Sequence, residues 1–252
     1  MEIEFNATVG EREDVSESVF VLRVKPDEAE PPRFEPGQFV QVGLPMETPA
    51  RDGSGVMRVR MQKRSYSLAS APGDPRGYEL CLALVASGRL TPELHRMQPG
   101  ARLFLDTRPQ GRFTLERIEP TRELVLVATG TGIAPYVSMR RAYAGKGRWR
   151  RMTIVHGVRH VSDLCYRAEL EQSAREDPSF SYLPIVSRER WSGLTGRVQQ
   201  VLGDSEIAPE RCHVFLCGNP AMIDETRKLL EPRGFVPDTP ETLGGLRFER
   251  YW

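Results

Sequence analysis

The sequence predicts two domains of different class, an antiparallel β-barrel over residues 1–110 and an α/β domain built on a parallel sheet over residues 111–252. Two observations carry this expectation. The first half holds short β-prone runs separated by turn residues, the pattern of a small antiparallel barrel. From Glu123 onward, apolar strands alternate with helical segments, which implies parallel strands joined by right-handed crossovers. The pattern changes between Arg108 and Thr121, and 252 residues suffice for two domains of ordinary size.

In the first half, residues 3–9 and 18–25 are β-prone. Pro26 to Pro36 is rich in proline and charge and reads as a connection. Gly37 to Leu44 alternates apolar and polar side chains like a half-buried strand. Pro45 to Gly55 reads as a long irregular loop, Val56 to Arg60 and Lys63 to Ala69 as strand, and Tyr78 to Val85 as a further strand. Thr91 is placed to cap a short helix with Pro92 at its first position, and Ala101 to Thr107 completes the half.

In the second half, Leu124 to Ala128 is a short continuous apolar run, as in a buried parallel strand. Thr129-Gly130-Thr131-Gly132-Ile133-Ala134-Pro135 follows, then a helix from Tyr136 to Ala144. Met152 to Gly157, Phe180 to Val186 and Cys212 to Gly218 are the next strands. Helices are expected at Val161 to Glu171, capped by Ser162 or Asp163, and at Pro220 to Glu231.

Composition excludes several classes. The chain is 39% hydrophobic and 27% charged with a formal charge of +1, so wholesale binding to nucleic acid or to an anionic membrane is not expected. No apolar run approaches the ~20 residues of a membrane span, and the N-terminus lacks a signal-peptide pattern. The four cysteines, Cys81, Cys165, Cys212 and Cys217, show no disulfide framework, which suits a cytoplasmic protein with reduced thiols. Cys212-His213 with Cys217 lacks the second clustered pair of a four-ligand metal site, and iron–sulfur spacing is absent, so no metal is expected.

Three stretches and one group of arginines carry candidate chemistry. If Lys63 to Ala69 is a strand, Arg64 and Tyr66 share a face about 7 Å apart at ~3.3 Å per residue. A cation and a flat aromatic at that spacing suit a ligand with a charged part and a planar part, and the Ser67 hydroxyl reaches the planar group's edge. Alone, the stretch also reads as an exposed strand with Tyr66 half buried. Gly88-Arg89-Leu90-Thr91 reads as an anion site at a helix start or as a plain capped helix. Gly130 and Gly132 permit a tight turn and close backbone approach to a ligand, yet the third glycine of a dinucleotide fingerprint is missing, and such turns are common in α/β domains. Arg159, Arg188 and Arg197 each follow a strand or lie beside Thr195. Singly they read as surface residues. Together they suit the extra 2′-phosphate of NADP, where an NAD site usually places an acidic residue.

In this order and spacing, Arg64-Ser65-Tyr66-Ser67, Gly88-Arg89-Leu90-Thr91, Gly130 to Pro135, Cys217-Gly218-Asn219-Pro220 with Met222, and the terminal Tyr251-Trp252 resemble the ferredoxin–NADP reductase superfamily, in particular the short bacterial flavodoxin/ferredoxin–NADP reductases. The resemblance implies an FAD-binding barrel and a Rossmann-like NADP-binding domain ending in an aromatic pair over FAD. It implies FAD contacts for Arg64, Ser65, Tyr66, Ser67, Cys81, Leu82, Ala83, Leu84, Arg89, Leu90, Thr91, Thr131, Tyr251 and Trp252. NADP contacts are implied for Val158, Arg159, Arg188, Thr195 and Arg197, and roles in catalysis for Ser67, Cys217 and Tyr251. The activity it implies is hydride transfer between NADPH and flavin N5, followed by single-electron steps with ferredoxin or flavodoxin, in a monomer. Arg58, Arg60, Lys63 and Arg89 either present positive charge to an acidic partner or form a solvated basic face. The stretch Met46 to Gln62 is longer than compact members need, which bears on access to the flavin or choice of partner. Two alternatives remain: the reductase component of an oxygenase system with a separate iron–sulfur protein, and a non-enzymatic flavin-binding regulatory subunit.

Overall fold

The computed structural model describes residues 5–27, 33–49, 56–203 and 205–251. Its first half is a six-stranded antiparallel sheet, β1 (Ala7–Asp14), β2 (Val19–Pro26), β3 (Phe39–Pro49), β4 (Met57–Ser67), β5 (Tyr78–Ala83) and, after helix α1 (Leu90–Arg96), β6 (Arg102–Leu105). The strand order is β4-β3-β6-β1-β2-β5. The two outer strands meet through a bridge between Leu68 and Leu80, and Ala69 N donates to Glu79 O at 2.8 Å, which closes the sheet into a barrel.

The second half holds β7 (Glu123–Thr129), a 3-10 turn (Gly130–Ile133), α2 (Ala134–Tyr143), β8 (Met152–Val158), α3 (Arg167–Glu176), β9 (Phe180–Val186), β10 (Leu194–Thr195), α4 (Val198–Gly203), β11 (Cys212–Gly218), α5 (Pro220–Leu230) and β12 (Leu246–Arg250). The six strands run parallel in the order β10-β9-β8-β7-β11-β12. Alternate side chains feed two cores. Leu124, Leu126 and Ile154 pack with α2 and α3, while Val125, Val127 and Val155 pack with α4 and α5. The sheet is therefore covered on both faces, which is why its strands read as apolar runs rather than alternations.

Strand β2 joins the halves. Phe20, Leu22 and Val24 fill the barrel, whereas Val19 and Val21 belong with Ala69 and Cys81 to the core that also holds Tyr136 and Phe215. The interface is thus apolar, and a charged layer adjoins it. Arg23 is buried against Glu79 and Asp74, and Arg141 of α2 reaches Glu79 at 2.6 Å and Glu169 of α3 at 2.7 Å.

Several local expectations need correction. Pro45 to Pro49 is not loop; it continues β3 and pairs with Met57 to Met61, while residues 50–55 lie outside the described ones. Thr91 does not cap α1. The helix starts one residue earlier, and the Thr91 hydroxyl is engaged with the backbone of Val85 at 3.0 and 3.2 Å. Val161 to Glu171 is not one helix. A 3-10 turn at Val161–Asp163 comes first, and α3 starts only at Arg167 because Tyr166 adopts φ 60°, which breaks the helical path. The last strand, β12, was missed; it is parallel to β11 and pairs Cys217 with Glu249.

Candidate active site

The carboxyl ends of the parallel strands all point the same way, and the strand order reverses beside β7. Open α/β sheets bind ligands at such a switch point. The turn after β7 carries Thr131 there. Gly218, at the end of β11, lies opposite and accepts from Tyr251 N at 2.9 Å. Gly132 lets this turn lie against β11, since a Cβ would stand 2.4 Å from Cys217 O. The close approach at Gly132 is therefore to the chain's own backbone and not to a ligand. His156 fixes the other side of the turn. Its Nε2 lies 2.9 Å from Gly130 O and its Nδ1 3.1 Å from the Tyr182 hydroxyl. A carbonyl only accepts, so Nε2 carries the proton and Nδ1 accepts from Tyr182. Burial pulls the His156 pKa down to about 4, so the ring is neutral.

Between this turn and the barrel lies a cavity of about 530 Å³, a size that holds part or all of a cofactor. Arg64, Ser65, Tyr66 and Ser67 enter it from β4, Cys81, Leu82 and Ala83 from β5, and Arg89, Leu90 and Thr91 from α1 and the loop before it. Thr131, Glu249, Arg250 and Tyr251 close it from the second half. Strand β5 meets the Leu68–Ala69 side through Glu79 and Leu80, and beyond them Cys81 to Ala83 pair with no further strand on that side among the described residues, leaving a sheet edge facing the cavity. Leu84 does not line the cavity; its N–H donates to Ser18 O at 2.7 Å. Trp252 lies outside the described residues.

The polar centre of the cavity is a chain of three side chains. The Tyr251 hydroxyl donates to Ser67 Oγ at 2.9 Å, and Ser67 Oγ donates to Glu249 Oε1 at 3.1 Å. Burial pushes the Glu249 carboxyl pKa up, and the Ser67 hydrogen bond pulls partly against it. Cys217 is fully buried and does not line the cavity; it sits beside Glu249 in the β11–β12 register, and burial pushes its thiol pKa well up. Sequence reasoning missed Glu249. Once Phe248 to Tyr251 is read as strand, the period of two puts Glu249 on the side of Tyr251.

Tyr66 and Tyr251 give the cavity two aromatic walls. The Tyr66 hydroxyl is buried without a hydrogen-bond partner among the described residues, and burial pushes its pKa up to about 12. Arg64 is exposed and donates to the Lys63 carbonyl at 2.8 Å. Arg89 donates to the carbonyl of Glu47, so it spans from α1 to β3.

A second group lies further along the strand ends. Arg188 N donates to Arg159 O at 3.0 Å, and Gly196 N donates to Val186 O at 2.8 Å, which sets Arg159, Arg188, Thr195 and Arg197 side by side. The three guanidinium groups are exposed and make no ion pair among the described residues. Val158 is instead buried in a small cluster with Leu164 and Val186.

Residues 126–228 match the family model described as "Oxidoreductase NAD-binding domain". The chain is 30% identical over 230 residues to the flavodoxin/ferredoxin–NADP reductase of Buchnera aphidicola subsp. Schizaphis graminum, covering 87% of this chain and 88% of the relative. It belongs to the ferredoxin/flavodoxin–NADP reductase family. Ferredoxin–NADP reductase B of Sorangium cellulosum is 38% identical over 216 residues, covering 81% of this chain and 82% of its own. The crystal structure of a ferredoxin NADP+ reductase from Neisseria gonorrhoeae with bound FAD and NADP superposes with a TM-score of 0.83 at 25% identity, covering 99% of each chain. Membership of this family makes the chain an oxidoreductase with the family's two-part architecture. No helix among the described residues is long and apolar enough to cross a membrane.

Proposed function

We propose that the protein is an FAD-dependent reductase that moves electrons between NADPH and ferredoxin or flavodoxin, with residues 1–110 holding FAD and residues 111–252 holding NADP. The observation that carries the proposal is the cavity itself, which gathers Arg64 to Ser67 from the barrel with Thr131, Glu249 and Tyr251 from the parallel-sheet half. Its residues fit FAD by their chemistry. Two aromatic walls suit a planar ring, a buried unpartnered Tyr66 hydroxyl and the open edge at Cys81 to Ala83 offer hydrogen bonds, and Arg64 and Arg89 offer cations to a pyrophosphate. FAD, when bound there, supplies a ring that accepts a hydride from NADPH and returns electrons singly.

The chain's own residues supply binding, orientation and proton control. Arg64 and Arg89 neutralise the diphosphate, with Ser65, Leu90 and Thr91 beside them. Tyr66 and Tyr251 cover the ring, and Tyr251 yields to admit the nicotinamide. Ser67 holds its proton toward Glu249, so the polar side of the site carries one orderly donor chain. Cys217 lies beside Glu249 on the neighbouring strand, and its thiol interacts with the Tyr251 hydroxyl. Arg159, Arg188 and Arg197 with Thr195 bind the 2′-phosphate, a task for unpaired guanidinium groups. Val158 contributes only backbone and packing there. Arg58, Arg60 and Lys63 of β4 present positive charge to an acidic one-electron carrier. The spacing of the four cysteines, which offers no disulfide framework, suits a reducing, cytoplasmic setting, and the protein acts as a monomer.

The test is the visible spectrum of the purified protein. A flavin spectrum bleached by NADPH and scarcely by NADH is expected, followed by reoxidation with the host's ferredoxins or flavodoxins at a rate that falls with salt. A colourless protein that FAD fails to reconstitute overturns the proposal.

A further inference from the structure

Two thiols that the proposed chemistry does not use face each other across the interface. Cys81 on β5 and Cys165, just before α3, have their Sγ atoms 3.4 Å apart. Both are buried and neither is bridged. They come from opposite halves and are 84 residues apart in the chain.

The contact is held from several directions. Ser16 Oγ, from the barrel, donates to Asp163 Oδ1 at 2.9 Å, and Asp163 O accepts from Cys165 N at 2.9 Å. Arg141 ties both flanks with one guanidinium group, reaching Glu79 beside Cys81 and Glu169 beyond Cys165. Tyr166, next to Cys165, is the one non-glycine residue with positive φ among the described residues. Such a backbone persists in a bulky residue only where the surroundings enforce it. The Arg141 guanidinium lies 5.2 Å from the Tyr166 ring centre, so the residue that ties the flanks also bears on this turn.

The pair also forms a partition. Cys81 lines the candidate active-site cavity, while Cys165 lines a separate cleft of about 600 Å³ between the halves, bordered by Arg23, Arg141 and Arg167. A small oxidant in that cleft meets Cys165 without passing through the cofactor cavity.

We propose that Cys81 and Cys165 form a reversible disulfide between the two domains on exposure to hydrogen peroxide. The Cys165 sulfur attacks the peroxide O–O bond, giving a sulfenic acid and one water. The Cys81 sulfur then displaces the sulfenic oxygen as a second water and forms the S–S bond. Both thiol protons leave in the waters, and two electrons pass from the thiol pair to the peroxide. The sulfurs close from 3.4 Å to the ~2.05 Å of a disulfide. The order of events follows from access, because Cys165 lines the cleft that the oxidant enters while Cys81 lines the cavity proposed for FAD.

The FAD-loaded protein, treated with excess hydrogen peroxide and quenched, is examined by intact mass and by a non-reducing peptide map. The expected result is loss of two hydrogens and a cross-linked peptide pair holding Cys81 and Cys165, reversed by dithiothreitol. The melting temperature of the linked form rises by several degrees, because the bond closes a long loop in the unfolded chain. Cys165→Ser retains FAD and shows neither change. Recovery of both thiols free after treatment, oxidation confined to Cys212 or Cys217, or over-oxidation of Cys165 without cross-linking overturns the proposal. Should Cys165→Ser fold poorly, the wild-type peptide map decides alone.

Discussion

The Tyr251 hydroxyl donates to Ser67 Oγ at 2.9 Å, joining the end of the parallel-sheet half to the last residue of barrel strand β4. Ser67 passes the arrangement on, donating its own proton to Glu249. Ser67→Ala leaves a phenol and a partly buried carboxyl without this partner, each change worth about 1–3 kcal/mol. Flavin reduction by NADPH is expected to slow by roughly 10- to 100-fold, the rate equivalent of about 1.4–2.8 kcal/mol. FAD content should stay at the wild-type level. Arg64→Ala should do the reverse, weakening FAD retention with a smaller effect on reduction of the flavin that remains. Stopped-flow absorbance and FAD content per chain separate the two. Equal FAD loss in both variants would mean that Ser67 belongs to cofactor retention.

Glu249 titrates in an unusual place. Burial raises its pKa and the Ser67 hydrogen bond lowers it in part, with burial the larger cause. A carboxyl whose folded pKa is raised contributes stability below the unfolded value and loses it as pH rises through the folded one. Glu249→Gln removes that dependence while keeping an oxygen to accept from Ser67. The variant should match or exceed wild-type melting temperature above the raised pKa and show a flatter profile as pH rises out of the ordinary carboxylate range. A Gln variant with the wild-type pH slope would place the titration elsewhere.

The strand-end arginines predict a selectivity. Arg159, Arg188 and Arg197 are exposed and make no ion pair among the described residues, so a phosphate is their natural counter-charge. Arg188→Ala should raise KM for NADPH by about tenfold, equivalent to about 1.4 kcal/mol, and leave KM for NADH nearly unchanged. Steady-state kinetics with both nucleotides measure this. A parallel loss with NADH would remove the 2′-phosphate from the argument.

How much of this was legible in the sequence depends on whether the signal was local. The strand runs at Leu124, Met152, Phe180 and Cys212 were readable because burial on both faces makes them continuously apolar. Arg64 and Tyr66 were readable because a strand's period of two sets them on one face. The longer β3–β4 hairpin was not, because its outer arm carries polar and exposed side chains and is held by pairing rather than by a core. Tyr166 broke a helix that propensity alone would extend, since its left-handed backbone comes from the surrounding contacts. Glu249 escaped notice because its significance depends on Ser67, which lies 182 residues away in the chain. Long-range pairings of this kind leave no local pattern.

His156 gives a pH dependence of opposite sign to that of Glu249. Its ring is buried, donates to Gly130 O and accepts from Tyr182, and burial lowers its pKa from 6.5 to about 4. Between these values the unfolded chain binds a proton that the folded chain does not. The stability it contributes is therefore complete above pH 6.5 and falls as pH drops toward about 4. At pH 5 the loss amounts to about 2 kcal/mol, approaching about 3 kcal/mol at the lower end. His156→Gln keeps an amide donor for Gly130 and does not titrate, so its stability relative to wild type should improve by these amounts as pH falls. Urea unfolding at several pH values measures the difference, and taking the difference cancels carboxylates common to both proteins. The same tie holds the turn that presents Thr131 to the cavity. Acidification should consequently loosen the nucleotide side of the site in the wild type before global unfolding, visible as a rise in KM for NADPH that the Gln variant lacks. Matching KM profiles in the two proteins would confine His156 to stability.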